Sequence, residues 1–141
     1  MEKEFIPYEQ ALTLKELGFD EPCAACYGSY THKTSELFLN INNPVNIETL
    51  VREKTGFNRP TFYVKTPTFS QVFRWFKEKH NLFHEIHIDK TAEPKFCFDI
   101  FQYEHFGNYD EIRIGEWYLY RTQEEAELEC LKKLIEIVKN K

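Results

Sequence analysis

The side chains able to do chemistry fall into two small groups. Glu85, His87 and Asp89 alternate along one stretch, and on a β-strand alternate residues share a face. An imidazole beside two carboxylates is a donor set for a divalent metal or for acid–base work. The plainer reading of the same pattern is a solvated polar face of a sheet. His84 and His87 are three apart, so a strand turns them to opposite faces and they cannot chelate one ion. His80 and His105 stand by themselves. The second group is Cys23 and Cys26, a C-x-x-C. A redox pair of this kind opens a helix, whereas Tyr27-Gly28-Ser29-Tyr30 reads as extended. A zinc ribbon needs a second close pair, and Cys97 and Cys130 are isolated. Buried thiols acting as small apolar side chains are the expectation. Glu93-Pro94-Lys95 matches the E-x-K of nuclease sites by chance, with Asp89 too near in sequence to complete one. The sequence has no Gly-rich phosphate loop, no G-x-S-x-G and no H-E-x-x-H. It therefore points away from an enzyme and calls for neither cofactor nor metal. The alternative is a small metal-dependent hydrolase using Glu85, His87 and Asp89.

The element that orders the rest of the chain is TPTFSQVFRWFKEKH, residues 66–80. Thr66 suits the N-cap and Pro67 the first helical position. Phe69, Val72, Phe73 and Phe76 follow at i, i+3, i+4 and i+7, one apolar stripe at helical period. Their burial is worth about 6–12 kcal/mol before entropy, at about 1.5–3 kcal/mol per side chain. Trp75 lies off the stripe centre. Either it flanks a wide buried face, or with Arg74 it forms an exposed anchor for a partner.

Around this helix the pattern predicts an α+β domain spanning residues 1–141, a mainly antiparallel sheet packed by helices, in the order α-β-β-α-(β)-α-β-β-β-α. Residues 7–17 read as a helix closed by Gly18, with Phe19 packing back. Residues 23–30 and 36–42 read as strands joined through 31–35. Asn46 caps a short helix at 47–55, and 61–65 is a short extended piece. Residues 82–89 and 95–103 alternate as strands, 107–110 is turn material, and 112–120 is the last strand, with a bend at Gly115. Thr122 to Glu125 fits a capping box opening a helix to Lys139. Its apolar arc is Ala126, Cys130, Leu131, Leu134, Ile135, Ile137 and Val138, expected to lie across the sheet, with Glu127 reaching water.

Composition narrows the class. The 141 residues are 42% hydrophobic, 29% charged and 16% aromatic, which is globular. No apolar run approaches 18 residues, so no membrane helix is expected. The start, MEKEFIPYEQ, has no apolar core of a signal peptide, and a cytoplasmic location in whatever cell makes the protein is expected. The net charge of −5 is uneven. Residues 65–79 hold four bases and one acid, whereas 97–130 hold nine acids and two bases. Such a chain is poorly suited to neutralising phosphates, so free nucleic acid is not an expected partner. Its acidic stretch, with Asp110, Glu111 and Glu116, suits a basic protein surface. The order α-β-β-β-α from Pro67 onward is similar to a double-stranded-RNA-binding domain. Glu124, Glu125, Glu127 and Glu129 stand where that family carries lysines, which removes the function.

Three stretches carry a resemblance: FIPYEQALTLKELGFDEPC, TFSQVFRWFKEKHNLF and EEAELECLKKLIEIVKNK. Together, over about a third of the chain, they resemble a group of short uncharacterised proteins of bacteriophages and Bacteroidota mobile elements. The resemblance carries no catalytic motif. It implies a genomic setting in which small acidic proteins are often inhibitors of host defence, anti-CRISPR proteins among them. A host protein, such as an RNA-guided nuclease complex, is then the expected partner. A phage structural or replication accessory role is a further alternative.

Overall fold

The computed structural model describes residues 4–29, 36–39, 62–90, 95–103, 109–112 and 119–141. The protein is α+β, with helices and two small antiparallel sheets. The chain divides into two compact units, Met1–Phe69 and Ser70–Lys141.

In the first unit, helix α1 (Tyr8–Glu16) lies within the predicted 7–17, with Pro7 extended ahead of it and Leu17 closing it as the C-cap. It ends where Gly18 takes φ 96°, a conformation that a side chain disfavours. The Gly18 N–H donates to the Lys15 carbonyl at 3.1 Å and the Phe19 N–H to the Leu14 carbonyl at 3.0 Å. This pair of bonds turns the chain back and buries Phe19. Strands β1 (Ala25–Ser29), β2 (Glu36–Leu39) and β3 (Phe62–Thr66) form a sheet in the order β2-β1-β3. Ala25 lies between Leu39 and Thr66. The expected connection at 31–35 and short helix at 47–55 fall outside the described residues. Helix α1 lies against β3, and Ile6, Ala11, Leu14, Ala25, Cys26 and Val64 are buried.

Thr66 departs from its expected role. It ends β3 rather than capping a helix, and it is fully buried. Its hydroxyl donates to the Ile6 carbonyl at 2.6 Å, and the Tyr27 hydroxyl donates to the same oxygen at 3.0 Å. The Ile6 N–H in turn donates to the Pro67 carbonyl at 3.0 Å. These tertiary bonds hold residues 66 and 67 extended, and the helix starts later.

Helix α2 (Phe69–His80) begins at the boundary and carries the predicted stripe. Val72 and Phe76 are fully buried, and Phe69 and Phe73 nearly so. Trp75 is 4% exposed. Its ring meets Phe76 and His80 edge-on at 5.0 and 4.8 Å. Trp75 is thus the flank of a wide buried face and not an exposed anchor, because the apolar arc extends past the stripe; Arg74 is exposed. Asn81, at φ 54°, then turns the chain directly into the second sheet.

That sheet has the order β4-β5-β6. Strands β4 (Leu82–Asp89) and β5 (Lys95–Tyr103) have the predicted bounds and pair without a break from Leu82↔Gln102 to Asp89↔Lys95. Strand β6 (Tyr109–Ile112) starts earlier than expected. Tyr109 and Asp110, read as turn, pair with Tyr103 and Gln102. Cross-strand pairing thus overrides the local turn preference of Asn108-Tyr109-Asp110. Tyr120 pairs separately with Phe96, exchanging bonds of 2.8 and 2.7 Å. Gly115 lies outside the described residues.

Helix α3 (Gln123–Lys139) lies against β5 and β4 and buries Ala126, Cys130, Leu131, Leu134 and Ile135. Thr122 caps it: the Glu125 N–H donates to the threonine Oγ1 at 3.1 Å. The Glu125 carboxylate accepts from the Arg121 N–H at 3.2 Å, one residue before the usual donor of a capping box. Glu127 takes a 3.0 Å bond from Gln123 Nε2 at the helix surface. Thr122→Ala is expected to cost about 1 kcal/mol, as measured by urea denaturation, with Thr122→Ser close to wild type.

Candidate functional site

Polar side chains converge on the face of the second sheet that α2 does not use. On β4 and β5 the inward positions are Leu82, His84 and Ile100. Leu82 and Ile100 are buried, and the His84 ring stacks on Phe73 at 3.8 Å. Residues one step along point the other way. Glu85 therefore stands directly opposite Asp99, and His87 directly opposite Cys97.

His87 Nε2 lies 2.5 Å from Asp99 Oδ2 and 3.4 Å from Glu85 Oε2. One ligand atom from each residue falls within 4.8 Å of the others. Two of the three residues are those read from the sequence. The third is Asp99 in place of Asp89. Alternate residues on one strand are separated by two rises of about 3.3 Å, whereas directly opposed side chains have Cβ atoms about 5 Å apart. Asp99 is the nearer carboxylate, and Asp89 is opposite Lys95. The arrangement has an electrostatic reason. Like charges directly opposed across two strands destabilise a sheet, and a cation between Glu85 and Asp99 relieves this. The His87 imidazole is placed to be that cation when protonated.

A divalent ion would use the same atoms. Zinc bonds to nitrogen and oxygen of about 2.1 Å place tetrahedral ligands about 3.4 Å apart. The Glu85–His87 separation of 3.4 Å meets this, while the His87–Asp99 hydrogen bond of 2.5 Å has to open. The donor set suits a hard or borderline ion with coordination positions left for water. Cys97 is not a ready fourth ligand. It is 5% exposed, and burial raises its pKa, with Asp99 and Asp89 adding to the effect.

The other sequence-derived candidates lie elsewhere. Cys23 and Cys26 are free thiols, with Cys26 fully buried in β1. Burial pushes their pKa values up to about 12 and about 11. The Cys23 thiol donates to the Glu21 carbonyl at 3.3 Å. Protonated thiols at neutral pH are poor nucleophiles. Asp110 and Glu111 are on β6, the last strand of this sheet among the described residues, opposite Gln102 and Phe101. Glu116 lies outside the described residues.

Sequence reasoning missed an apolar row at one end of the second sheet. Ile88, Phe96 and Tyr120 sit side by side across it. Ile88 is 52% exposed and Leu119 is 43% exposed. The Tyr120 ring stacks on Phe98 at 6.1 Å. The exposed Glu124 and Glu125 at the head of α3 follow within five residues.

His84 carries a pH dependence. Burial lowers its pKa below 6.5, and burial and Lys141 lower that of His80. Both shifts favour the neutral ring in the folded chain. As pH falls, the unfolded chain takes up protons first. Stability from these groups is therefore complete above about pH 6.5 and is lost as pH drops towards the folded pKa values. Denaturation midpoints are expected to fall between about pH 7 and pH 5. His84→Phe, which keeps a ring against Phe73, is expected to flatten part of that slope.

No helix among the described residues is long and apolar enough to cross a membrane. No protein-family model, curated protein or solved structure matches the chain.

Proposed function

We propose that the chain works by stoichiometric binding to another protein, as an inhibitor of a host defence effector, with an RNA-guided CRISPR nuclease the leading partner. The observation that carries the binding reading is the exposure of two large apolar side chains, Ile88 at one end of the second sheet and Leu119 next to Tyr120, with the acidic head of α3 following in the chain. Aromatic and aliphatic side chains rimmed by charge are the make-up of a protein-binding patch. The excess of acids over residues 97–130 favours a basic partner surface, such as a nucleic-acid channel. The defence setting is supported by the resemblance of the three stretches to phage and mobile-element proteins.

Affinity capture from a bacterial host lysate, read by mass spectrometry, tests this. The expected result is one large nuclease, lost with Leu119→Lys and retained with Arg74→Ala. Capsid or replisome proteins in its place would favour an accessory role in phage assembly or replication. Replacing Asp110, Glu111 and Glu116 with lysine is expected to slow association and weaken its salt dependence, with folding intact.

A second reading, a small metal-dependent hydrolase, is favoured by the Glu85, His87 and Asp99 cluster alone. A bound ion there would polarise a substrate oxygen or activate water. Titration calorimetry with zinc and manganese tests it: no heat, or heat unchanged in His87→Ala and Asp99→Asn, removes this reading.

A further inference from the structure

The first unit enters neither reading, yet it holds a cavity. A space of about 100 Å³ is lined by Ala11, Lys15, Phe19, Asp20, Val64 and Lys65. Helix α1 lies against β3, and each gives the lining one small buried side chain, Ala11 and Val64. Phe19, turned back by the left-handed Gly18, adds a third buried wall. The floor is therefore apolar, and the charged groups stand at the rim. Lys65 Nζ and Asp20 Oδ1 lie 3.6 Å apart, with side chains 41% and 94% exposed. That distance makes an ion pair but is too long for a hydrogen bond, so both heads retain bonding capacity for a third group.

We propose that this cavity binds a free branched-chain amino acid, leucine or isoleucine, as its zwitterion. Size sets the side chain. An apolar cavity of about 150 Å³ holds benzene, with its six carbons. By the same proportion about 100 Å³ takes four carbons, the count of a leucine or isoleucine side chain. Charge sets the head group. An α-amino acid carries its carboxylate and its ammonium on the carbon that bears the side chain. With the side chain in the cavity, the carboxylate meets the Lys65 ammonium and the ligand ammonium meets the Asp20 carboxylate. Both contacts are charge-assisted hydrogen bonds, stronger than those between neutral groups. A simple carboxylate would set like charge against Asp20, and a simple amine would do the same to Lys65. The buried walls supply the apolar part of the affinity. The proposal uses the first unit alone, so it holds or fails apart from the inhibitor and hydrolase readings.

Proton–nitrogen NMR titration of the full chain with leucine, from about 0.1 to 20 mM, reads binding at the amides of Ala11, Phe19, Val64 and Lys65. A dissociation constant of about 0.1–2 mM is expected for so small a ligand at an exposed rim. Isovalerate, which lacks the ammonium, and leucinamide, which lacks the carboxylate, are each expected to bind about tenfold more weakly or worse. Phenylalanine, whose ring exceeds the space, is expected to do the same. Lys65→Met is expected to weaken leucine about tenfold. Ala11→Leu fills the cavity from the helix side and is expected to abolish leucine binding. Lys65→Met, at a half-exposed side chain, decides the matter if Ala11→Leu fails to fold. No shift at these amides across the range overturns the proposal. So does leucine affinity unchanged by the substitutions, or isovalerate or leucinamide binding as tightly as leucine.

Discussion

Phe76→Ala is expected to destabilise the protein by about 3–5 kcal/mol, the range for truncating a fully buried phenylalanine. Phe76 is 0% exposed, closes the α2 stripe, and packs edge-on against Trp75 at 5.0 Å. Its loss leaves a cavity on a helix with buried neighbours on both sides of the stripe. Phe73, one turn earlier, is 8% exposed and stacks on His84. Phe73→Ala is expected to cost less, because the half-buried His84 ring is free to settle into the gap. Urea denaturation of both variants checks the order. A Phe76→Ala loss under about 1 kcal/mol would mean that the stripe does not face the core.

Thr66→Val is expected to cost about 1–3 kcal/mol although it preserves shape. The hydroxyl is fully buried and holds the Ile6 carbonyl at 2.6 Å. Valine removes the donor and leaves that oxygen, among the described residues, to the Tyr27 hydroxyl at 3.0 Å. The double variant Thr66→Val with Tyr27→Phe strips both donors and is expected to cost more than the two single changes summed, because the oxygen is then buried without either partner. Thr66→Ser keeps the hydroxyl and is expected to stay within about 1 kcal/mol of wild type. Thermal melts of these four proteins separate a hydrogen-bonding role from a packing role.

Thr66 also shows where reading the sequence stops. A threonine before proline and an apolar helical stripe is a good cap by local rules, and nothing local announces Ile6, sixty residues away. The stripe itself, the capping box at Thr122, the turn at Gly18 and the full lengths of β4 and β5 were legible, because each rests on residues within a turn or a strand. Tyr109 was not, since its strand state is set by Tyr103 across the sheet. The candidate site divides in the same way. Glu85 and His87 share a strand and follow from alternation. Asp99 comes from the next strand, and only the register supplies it. That register had a local signal: pairing Asp89 with Lys95 across the connection puts Glu85 opposite Asp99. Trp75 could be read two ways because helical angle alone does not reveal how wide a buried face is.

The two sheets differ in how far apart in the chain their strands are, and this sets an order of assembly. Strands β4 and β5 join through a short connection, from Asp89 to Lys95. Their pairing closes a small loop, a fast event with little entropy to overcome. Strand β1 meets β3 at Ala25 and Thr66, and Ile6 reaches Thr66 across almost half the chain. During synthesis the amino-terminal third leaves the ribosome first, yet its sheet cannot close until β3 has emerged. Ile6, Leu14, Phe19 and Cys26 wait in solvent over that interval, and the segment that later forms a sealed interior is the one a chaperone meets first.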